Sequence, residues 1–116
     1  MVRILIADGS DPEFSAALAK VLTLKGFGTV EAVCGGPDEL WRRIVAEPPN
    51  LLLIDKKNGA EIIGKLRNSV RGQGVRVLVI DGDREIARAL PGADGYIQSP
   101  APPNTYVQAV RDILSA

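Results

Sequence analysis

The sequence predicts a three-layer α/β fold in which a parallel sheet lies between two layers of helices. Apolar runs without strict alternation, at 2–7, 51–54 and 75–80, are typical of strands that are covered on both faces. Segments with helical apolar periodicity separate these runs. Alternation of strand and helix along the whole chain favours right-handed crossovers and helices on both faces of the sheet.

The first helix is the best delimited by local signals. Asp11 is a suitable N-cap, Pro12 suits the first helical position, and Gly26 suits the position just after the helix. Its predicted apolar side comprises Phe14, Leu18, Val21 and Leu22.

The remaining elements continue the alternation to five strands and five helices. A second strand is predicted over 28–33, and a second helix follows from Pro37 to the stop at Pro48–Pro49. The third helix is predicted to begin after Asn58 as N-cap, because Glu61 lies three residues later as in a capping box. A short fourth helix, a fifth strand and a closing helix are predicted over 83–92, 93–98 and 103–114. The apolar side of the closing helix comprises Tyr106, Val107, Val110, Ile113 and Leu114.

Length and composition limit the possible functions. The 116 residues predict one domain, residues 1–116, and the 46% of hydrophobic residues suffice for one core. Lys plus Arg and Asp plus Glu both number 14, which argues against nucleic acid bound by phosphate neutralisation and against a polybasic membrane anchor. No apolar run approaches the ~20 residues of a membrane span, and no signal peptide is expected.

Histidine is absent and cysteine occurs once. The lack of histidine excludes histidine general bases, Ser-His-Asp triads and His-ligated zinc on this chain. The single Cys34 excludes an internal disulfide and fits a cytoplasmic location; at a strand end we expect it to be buried or half-buried. A metal ion here would be a hard cation such as Mg²⁺, bound by oxygen ligands.

Three apolar strands are predicted to end on an aspartate. Asp8, Asp55 and Asp81 follow the first, third and fourth strands. In a flavodoxin-like sheet of order 2-1-3-4-5 these strands are neighbours, ~4.8 Å apart, and their carboxyl ends form the edge where ligands bind. We therefore expect an acidic pocket formed by these three carboxylates, with Asp55 in its centre. Helix capping explains Asp81 equally well, but it fits Asp55 poorly if Asn58 is the cap.

The whole chain resembles a response-regulator receiver domain of two-component signalling. The resemblance extends from Val2 to about Leu114 and is carried by the stretches RILIAD, PPNLLLID, GADGYIQSP and YVQAVRDIL. It implies that Asp55 is the aspartate that accepts a phosphoryl group from a partner histidine kinase. It also implies Mg²⁺ near Asp8 and Asp55, and a cis peptide bond between Ser99 and Pro100.

The chain departs from the receiver pattern around this acceptor. Gly9 stands where receivers have a second acid, Asp81 where they have Thr or Ser, and Ser99 where they have Lys; the loop after Asp55 is about four residues shorter than usual. Tyr96 occupies the place of the aromatic residue that follows the Thr switch in receivers, so Asp81, Tyr96 and Ser99 form a degenerate switch. Because phosphoryl transfer depends on cations around the transferred group, we expect a degenerate phosphorylation pocket and weak Mg²⁺ binding, if any.

Three functions remain open at this point. The first is an atypical receiver, or pseudo-receiver, that acts as a protein-interaction module, needs no cofactor and is not an enzyme. The second is a working receiver that is phosphorylated on Asp55, with Lys56 or Lys57 supplying the missing cation unless both are simply solvated. The third is a small flavodoxin-like cofactor-binding protein, which the acidic stretch ADGSDP disfavours because it would repel a phosphate.

Protein partners are expected in either signalling function. Receivers commonly form dimers through the face of the fourth helix, fifth strand and fifth helix. In this chain the residues on that face would be Arg84, Arg88, Asp94 and Arg111, with Ala87 and Val107 between them. Trp41, the only tryptophan, is expected to pack partly into the core.

Overall fold

The apolar runs form the strands that the sequence predicts. The computed structural model describes residues 2–7, 11–70, 72–83 and 90–115. The five strands form one sheet of order β2-β1-β3-β4-β5 in which all neighbours are parallel, so the predicted order 2-1-3-4-5 is confirmed. The strands are β1 (Arg3–Ala7), β2 (Thr29–Ala32), β3 (Leu51–Asp55), β4 (Arg76–Asp81) and β5 (Gly95–Gln98).

Helices cover both faces of this sheet. The described helices are α1 (Pro12–Leu24), α2 (Gly36–Ala46), α3 (Lys56–Arg67) and α4 (Pro103–Ser115). The predicted helix over 83–92 lies mostly outside the described residues, since 84–89 are not among them. Helices α2 and α3 pack on one face of the sheet and α1 and α4 on the other.

The core is aliphatic and consists of two clusters, one on each face of the sheet. Alternate residues of the central strands contribute to opposite clusters, as the two-residue period of a strand requires. The strand residues of the cluster under α2 and α3 are Leu5, Ala7, Leu52, Ile54, Val77 and Val79. Those of the cluster under α1 and α4 are Ile4, Ile6, Leu51, Leu53, Leu78, Ile80 and Ile97.

The first helix begins and ends where its sequence predicts. The side chain of Asp11 accepts a hydrogen bond of 2.9 Å from the backbone N–H of Phe14, and Pro12 is the first helical residue. Gly26, just after the helix, has a φ of +81°, a backbone conformation that disfavours any side chain.

The start of α3 differs from the sequence prediction. Asn58 was the predicted N-cap, but the helix begins at Lys56 and Asp55 occupies the N-cap position. Gly59, inside the helix, packs against Leu90: a Cβ added at Gly59 would lie 3.1 Å from Leu90 Cδ1. The prediction was wrong because Asp55 and Asn58 are both favourable N-cap residue types, so the local signals do not decide between the two starts.

Two predictions of burial also differ from the structure. Cys34 is exposed rather than buried or half-buried, because β2 ends at Ala32 and Cys34 lies in the loop that follows. Val107 is only 5% exposed and belongs to the core cluster under α1 and α4, so it does not lie on a surface between charged residues. Trp41 packs partly against the opposite cluster, as predicted, with Lys65 Nζ 5.6 Å from its ring centroid.

Candidate functional site

Two aspartates end neighbouring strands at the carboxyl edge of the sheet. Asp55 is the last residue of β3 and pairs in register with Ile80; Asp81, the next residue of β4, pairs with Gln98. Because β3 and β4 are parallel, both aspartates lie at the same edge of the sheet. Asp55 is 6% exposed, whereas Asp81 is partly exposed.

The third predicted acid of this pocket follows the adjacent strand. Ala7, the last residue of β1, pairs in register with Ile54, the residue before Asp55. Asp8 comes next in the chain, but it lies outside the described residues, and so does Gly9. Of the three acids predicted to form this pocket, the structure therefore describes Asp55 and Asp81.

Helix α3 begins directly after Asp55, and its first turn lies next to the Asp55 carboxylate. The side chain of Asp55 makes no capping hydrogen bond to the helix backbone, but its Oδ1 accepts one of 3.2 Å from Nδ2 of Asn58 in the first turn. A helix N-terminus carries unpaired N–H groups and partial positive charge, which stabilise a nearby anion. Two electropositive groups of this chain, the amide of Asn58 and the start of α3, therefore lie next to the buried carboxylate.

The two lysines after Asp55 are solvent-exposed residues of α3. Lys56 and Lys57 both lie in its first turn. Neither forms an ion pair within the part of the chain that the structure describes. The predicted role of either lysine as the cation of the pocket therefore has no contact in the described residues to support it.

Asp81 makes a local contact with the turn that follows β4. Its Oδ2 accepts a hydrogen bond of 3.1 Å from the backbone N–H of Asp83, which is the geometry of an Asx turn. The carboxylate thereby stabilises the first turn of the connection to β5. The prediction that Asp81 caps a following helix falls on residues 84–89, outside those that the structure describes.

Ser99, at the position of the receiver lysine, bonds to the helix layer. Its Oγ lies 2.9 Å from the hydroxyl oxygen of Tyr106, and its backbone N–H donates to the carbonyl oxygen of Asp81 at 2.9 Å. The bond between Ser99 and Pro100 is cis, as the resemblance implies. Ser99 is uncharged and half-buried, so position 99 supplies a hydroxyl that pairs with α4 and no positive charge.

Tyr96 lies at the edge strand β5 and is half-buried. It packs against the core cluster under α2 and α3, on the sheet face opposite to Tyr106. It pairs in register with Val79, two residues before Asp81.

Of the two residues predicted to bind Mg²⁺, Asp55 is among the described residues and Asp8 is not. Mg²⁺ prefers octahedral coordination by oxygen, which receivers assemble from several carboxylate and carbonyl groups. Here the first turn of α3 presents N–H donors beside Asp55, since helical carbonyls point towards the other end of the helix and pair within it. Among the described residues no three acidic or cysteine side chains lie together as potential metal ligands.

Two residues that matter at this edge were not singled out from the sequence as site residues. Asn58 was assigned to helix capping, and Tyr106 to the apolar side of the last helix. Asn58 follows Asp55 by three residues. Side chains with this spacing are in contact at the start of a helix, so the spacing is the sequence signal for the role of Asn58. The signal for Tyr106 is weaker: a buried tyrosine needs a hydrogen-bond partner, and Ser99 precedes it in the same loop-helix unit.

The predicted dimer face is described only in part. Arg84, Ala87 and Arg88 lie outside the described residues. The carboxylate of Asp94 accepts hydrogen bonds within the molecule, and Arg111 lies over the ring of Phe27, at 5.7 Å from its centroid. No helix among the described residues is long and apolar enough to cross a membrane.

Comparison with known proteins shows the fold through solved structures. No protein-family model matches the chain, and neither does any curated protein. The chemotaxis response regulator CheY4 of Vibrio cholerae superposes with a TM-score of 0.85 at 17% identity, over 97% of this chain and 98% of that one. A response regulator from Desulfuromonas acetoxidans gives 0.83 at 21% identity, over 99% and 98% of the two chains.

A third structural neighbour has a different description. A putative pilus assembly protein, CpaE, from Burkholderia thailandensis matches with a TM-score of 0.77 at 20% identity, over 100% of both chains. Identities this low show a common fold and not a common function. The chain has the flavodoxin-like fold of response-regulator receiver domains, as its sequence predicts.

Proposed function

We propose that this chain is an atypical receiver module that acts in signalling by binding protein partners and has a degenerate phosphorylation pocket. The observation that carries the proposal is the position of two acids, Asp55 and Asp81, at the ends of adjacent parallel strands. A phosphoryl group bound to Asp55 would bring more negative charge to an edge that already has two carboxylates. Phosphoryl transfer is catalysed mainly by cations and positioned donors, so this charge distribution opposes it.

Two groups next to Asp55 stabilise its buried carboxylate. An unpaired buried carboxylate costs several kcal/mol. A hydrogen bond to a charged group contributes about 1.5–3 kcal/mol, and a helix N-terminus adds ~0.3–1 kcal/mol. The amide of Asn58 and the start of α3 together offset much of that cost, which fits a structural role for Asp55.

The proposed module needs no cofactor and catalyses no reaction of its own. Its output is contact with other proteins, among which a second copy of the chain is one candidate. A partner histidine kinase belongs to the alternative function, in which Asp55 is phosphorylated. Asp55 is buried at the position where receivers have their phosphoryl acceptor, which favours this alternative. The test therefore has to distinguish the two functions.

The test is a titration with the phosphoryl analogue beryllofluoride in the presence of Mg²⁺, followed by ¹H–¹⁵N NMR. We expect no saturable shifts around Asp55 at millimolar analogue. Incubation with a small phosphodonor such as acetyl phosphate, followed by intact mass spectrometry, should add no phosphoryl group. If analogue shifts and added mass both occur and both disappear in Asp55→Asn but persist in Asp81→Asn, the chain is a working receiver and the proposal fails.

A further inference from the structure

The hydroxyl group of Tyr106 contacts the turn that follows β5. Its oxygen lies 2.9 Å from Ser99 Oγ and accepts a hydrogen bond of 3.2 Å from the backbone N–H of Ala101. Tyr106 is 3% exposed and belongs to the core cluster under α1 and α4. The turn at 99–101 is therefore joined to the helix layer through one buried oxygen atom.

The same turn is joined to the acidic edge by its backbone. The N–H of Ser99 donates to the carbonyl oxygen of Asp81 at 2.9 Å, where β4 and β5 end. On its other side, the ring of Tyr106 meets Phe14 of α1 edge-on, with centroids 5.4 Å apart and an interplanar angle of 60°. A continuous series of contacts thus runs from α1 through α4 and the turn to Asp81.

We infer that Tyr106 is a positioning residue of the acidic edge: its hydroxyl fixes the turn at 99–101 and couples the packing of α1 against α4 to Asp81. The inference rests on the proposed function in one respect: it takes the edge with Asp55 and Asp81 as the functional site. The hydrogen bond of the Ala101 N–H is part-buried and its loss is costly, so Ala101 follows the tyrosine oxygen if the ring moves. Ser99 follows for the same reason, and its backbone bond transmits the movement to the end of β4.

The first test removes the hydroxyl with Tyr106→Phe, which retains the ring and its contact with Phe14. Amide exchange of Ala101 should accelerate about tenfold or more, because its N–H loses its acceptor. The amide resonances of Ser99 and Gly82 should shift, while those of α2 stay in place. Tyr96→Phe is the matched control, since it removes the other tyrosine hydroxyl of the chain from the opposite sheet face, and it should leave the exchange of Ala101 unchanged.

The second test separates coupling from a merely structural bond. Phe14→Leu disturbs the packing of α1 against Tyr106 and should shift the amides of Asp81 and Gly82 in the wild-type background. In the Tyr106→Phe background the same change should leave those two amides in place. Equal shifts in both backgrounds, or unchanged exchange of Ala101 in Tyr106→Phe, would overturn the inference. Neither measurement involves phosphoryl chemistry, so failure of the proposed function would leave both results standing.

Discussion

Asn58 donates a hydrogen bond from Nδ2 to Oδ1 of Asp55 across 3.2 Å, from inside the first turn of the helix that Asp55 precedes. An anion that accepts such a bond is stabilised without a metal ion. An incoming cation or phosphoryl group at this oxygen would have to displace the amide or share the oxygen with it. The contact therefore bears on both the stability of the fold and the chemistry open to Asp55.

The first prediction concerns the stability that this contact provides. Asn58→Ala should lower the free energy of unfolding by about 1–2 kcal/mol, because a bond to a buried charged group contributes about 1.5–3 kcal/mol and alanine recovers part of that through helix propensity. Urea unfolding at neutral pH measures the change. Lys57→Ala, at the exposed neighbouring position, is the control and should stay within ~0.5 kcal/mol. Equal stability of the two variants would show that the contact contributes nothing.

The start of α3 illustrates what sequence patterns can and cannot determine. The existence of the helix followed from helical periodicity and from the alternation of strands and helices. The choice of N-cap could not be predicted in this way, because Asp and Asn are equally good caps. Asp55 and Asn58, with two lysines between them, allow either start. Gly59, Ile62 and Ile63 lie in the helix with either start, so their burial does not select one.

The second prediction is that Mg²⁺ binds in the millimolar range or more weakly. The reason is that Gly9 removes a carboxylate that receivers use, and α3 presents N–H groups where oxygen ligands are needed. Titration of the apo protein with MgCl₂, followed by NMR, measures the affinity. Asp55→Asn is the control and should abolish any shifts that are specific to the site. Micromolar binding that depends on Asp8 and Asp55 would contradict this interpretation of the pocket.

The third prediction separates the charge of Asp81 from its hydrogen bond. Asp81→Asn retains an oxygen acceptor for the N–H of Asp83 and removes one negative charge, so it should be as stable as the wild type or more stable. Asp81→Ala also loses the acceptor and should be less stable than Asp81→Asn by about 0.5–1.5 kcal/mol. Thermal unfolding of the two variants tests the difference. If they unfold together, the turn does not depend on this carboxylate.

The fourth prediction concerns Arg67, at the end of α3. Its guanidinium donates to the carbonyl oxygens of Gly92 and Val75 and to the carboxylate of Asp94, at 2.8–3.0 Å. Lysine keeps the charge but cannot reproduce this fork, so Arg67→Lys should cost about 1–3 kcal/mol. The control is Arg42→Lys, at a side chain that is 76% exposed, which should change stability by less than ~0.5 kcal/mol. Chemical unfolding that gave equal values for both would refute the role of Arg67.

Arg67 also marks a limit of prediction from sequence at the fold level. The five strands and the two helix layers follow from periodicity and alternation, which are local patterns, whereas the strand order was taken from flavodoxin-like folds. The side-chain bonds that connect α3 to the entries of β4 and β5 span up to 27 residues. Any arginine on the polar side of a helix could form such hydrogen bonds, so the periodicity that predicts the helix does not predict these bonds. The same holds at the acidic edge for Ser99 and Tyr106.

The last prediction asks whether charge alone disables the pocket. Asp81→Thr with Ser99→Lys supplies the hydroxyl and the cation that the receiver pattern has beside the acceptor, and it changes the local charge by two units in favour of an anion. A partly screened charge interaction at ~4 Å contributes about 1–4 kcal/mol, so beryllofluoride affinity should rise at least about tenfold. Asp81→Thr with Ser99→Met is the control, since methionine has about the length of lysine without its charge. NMR titration compares the two double variants with the wild type. If neither double variant binds the analogue more tightly than the wild type, the helix that begins directly after Asp55, and not the charge, keeps the phosphoryl group out.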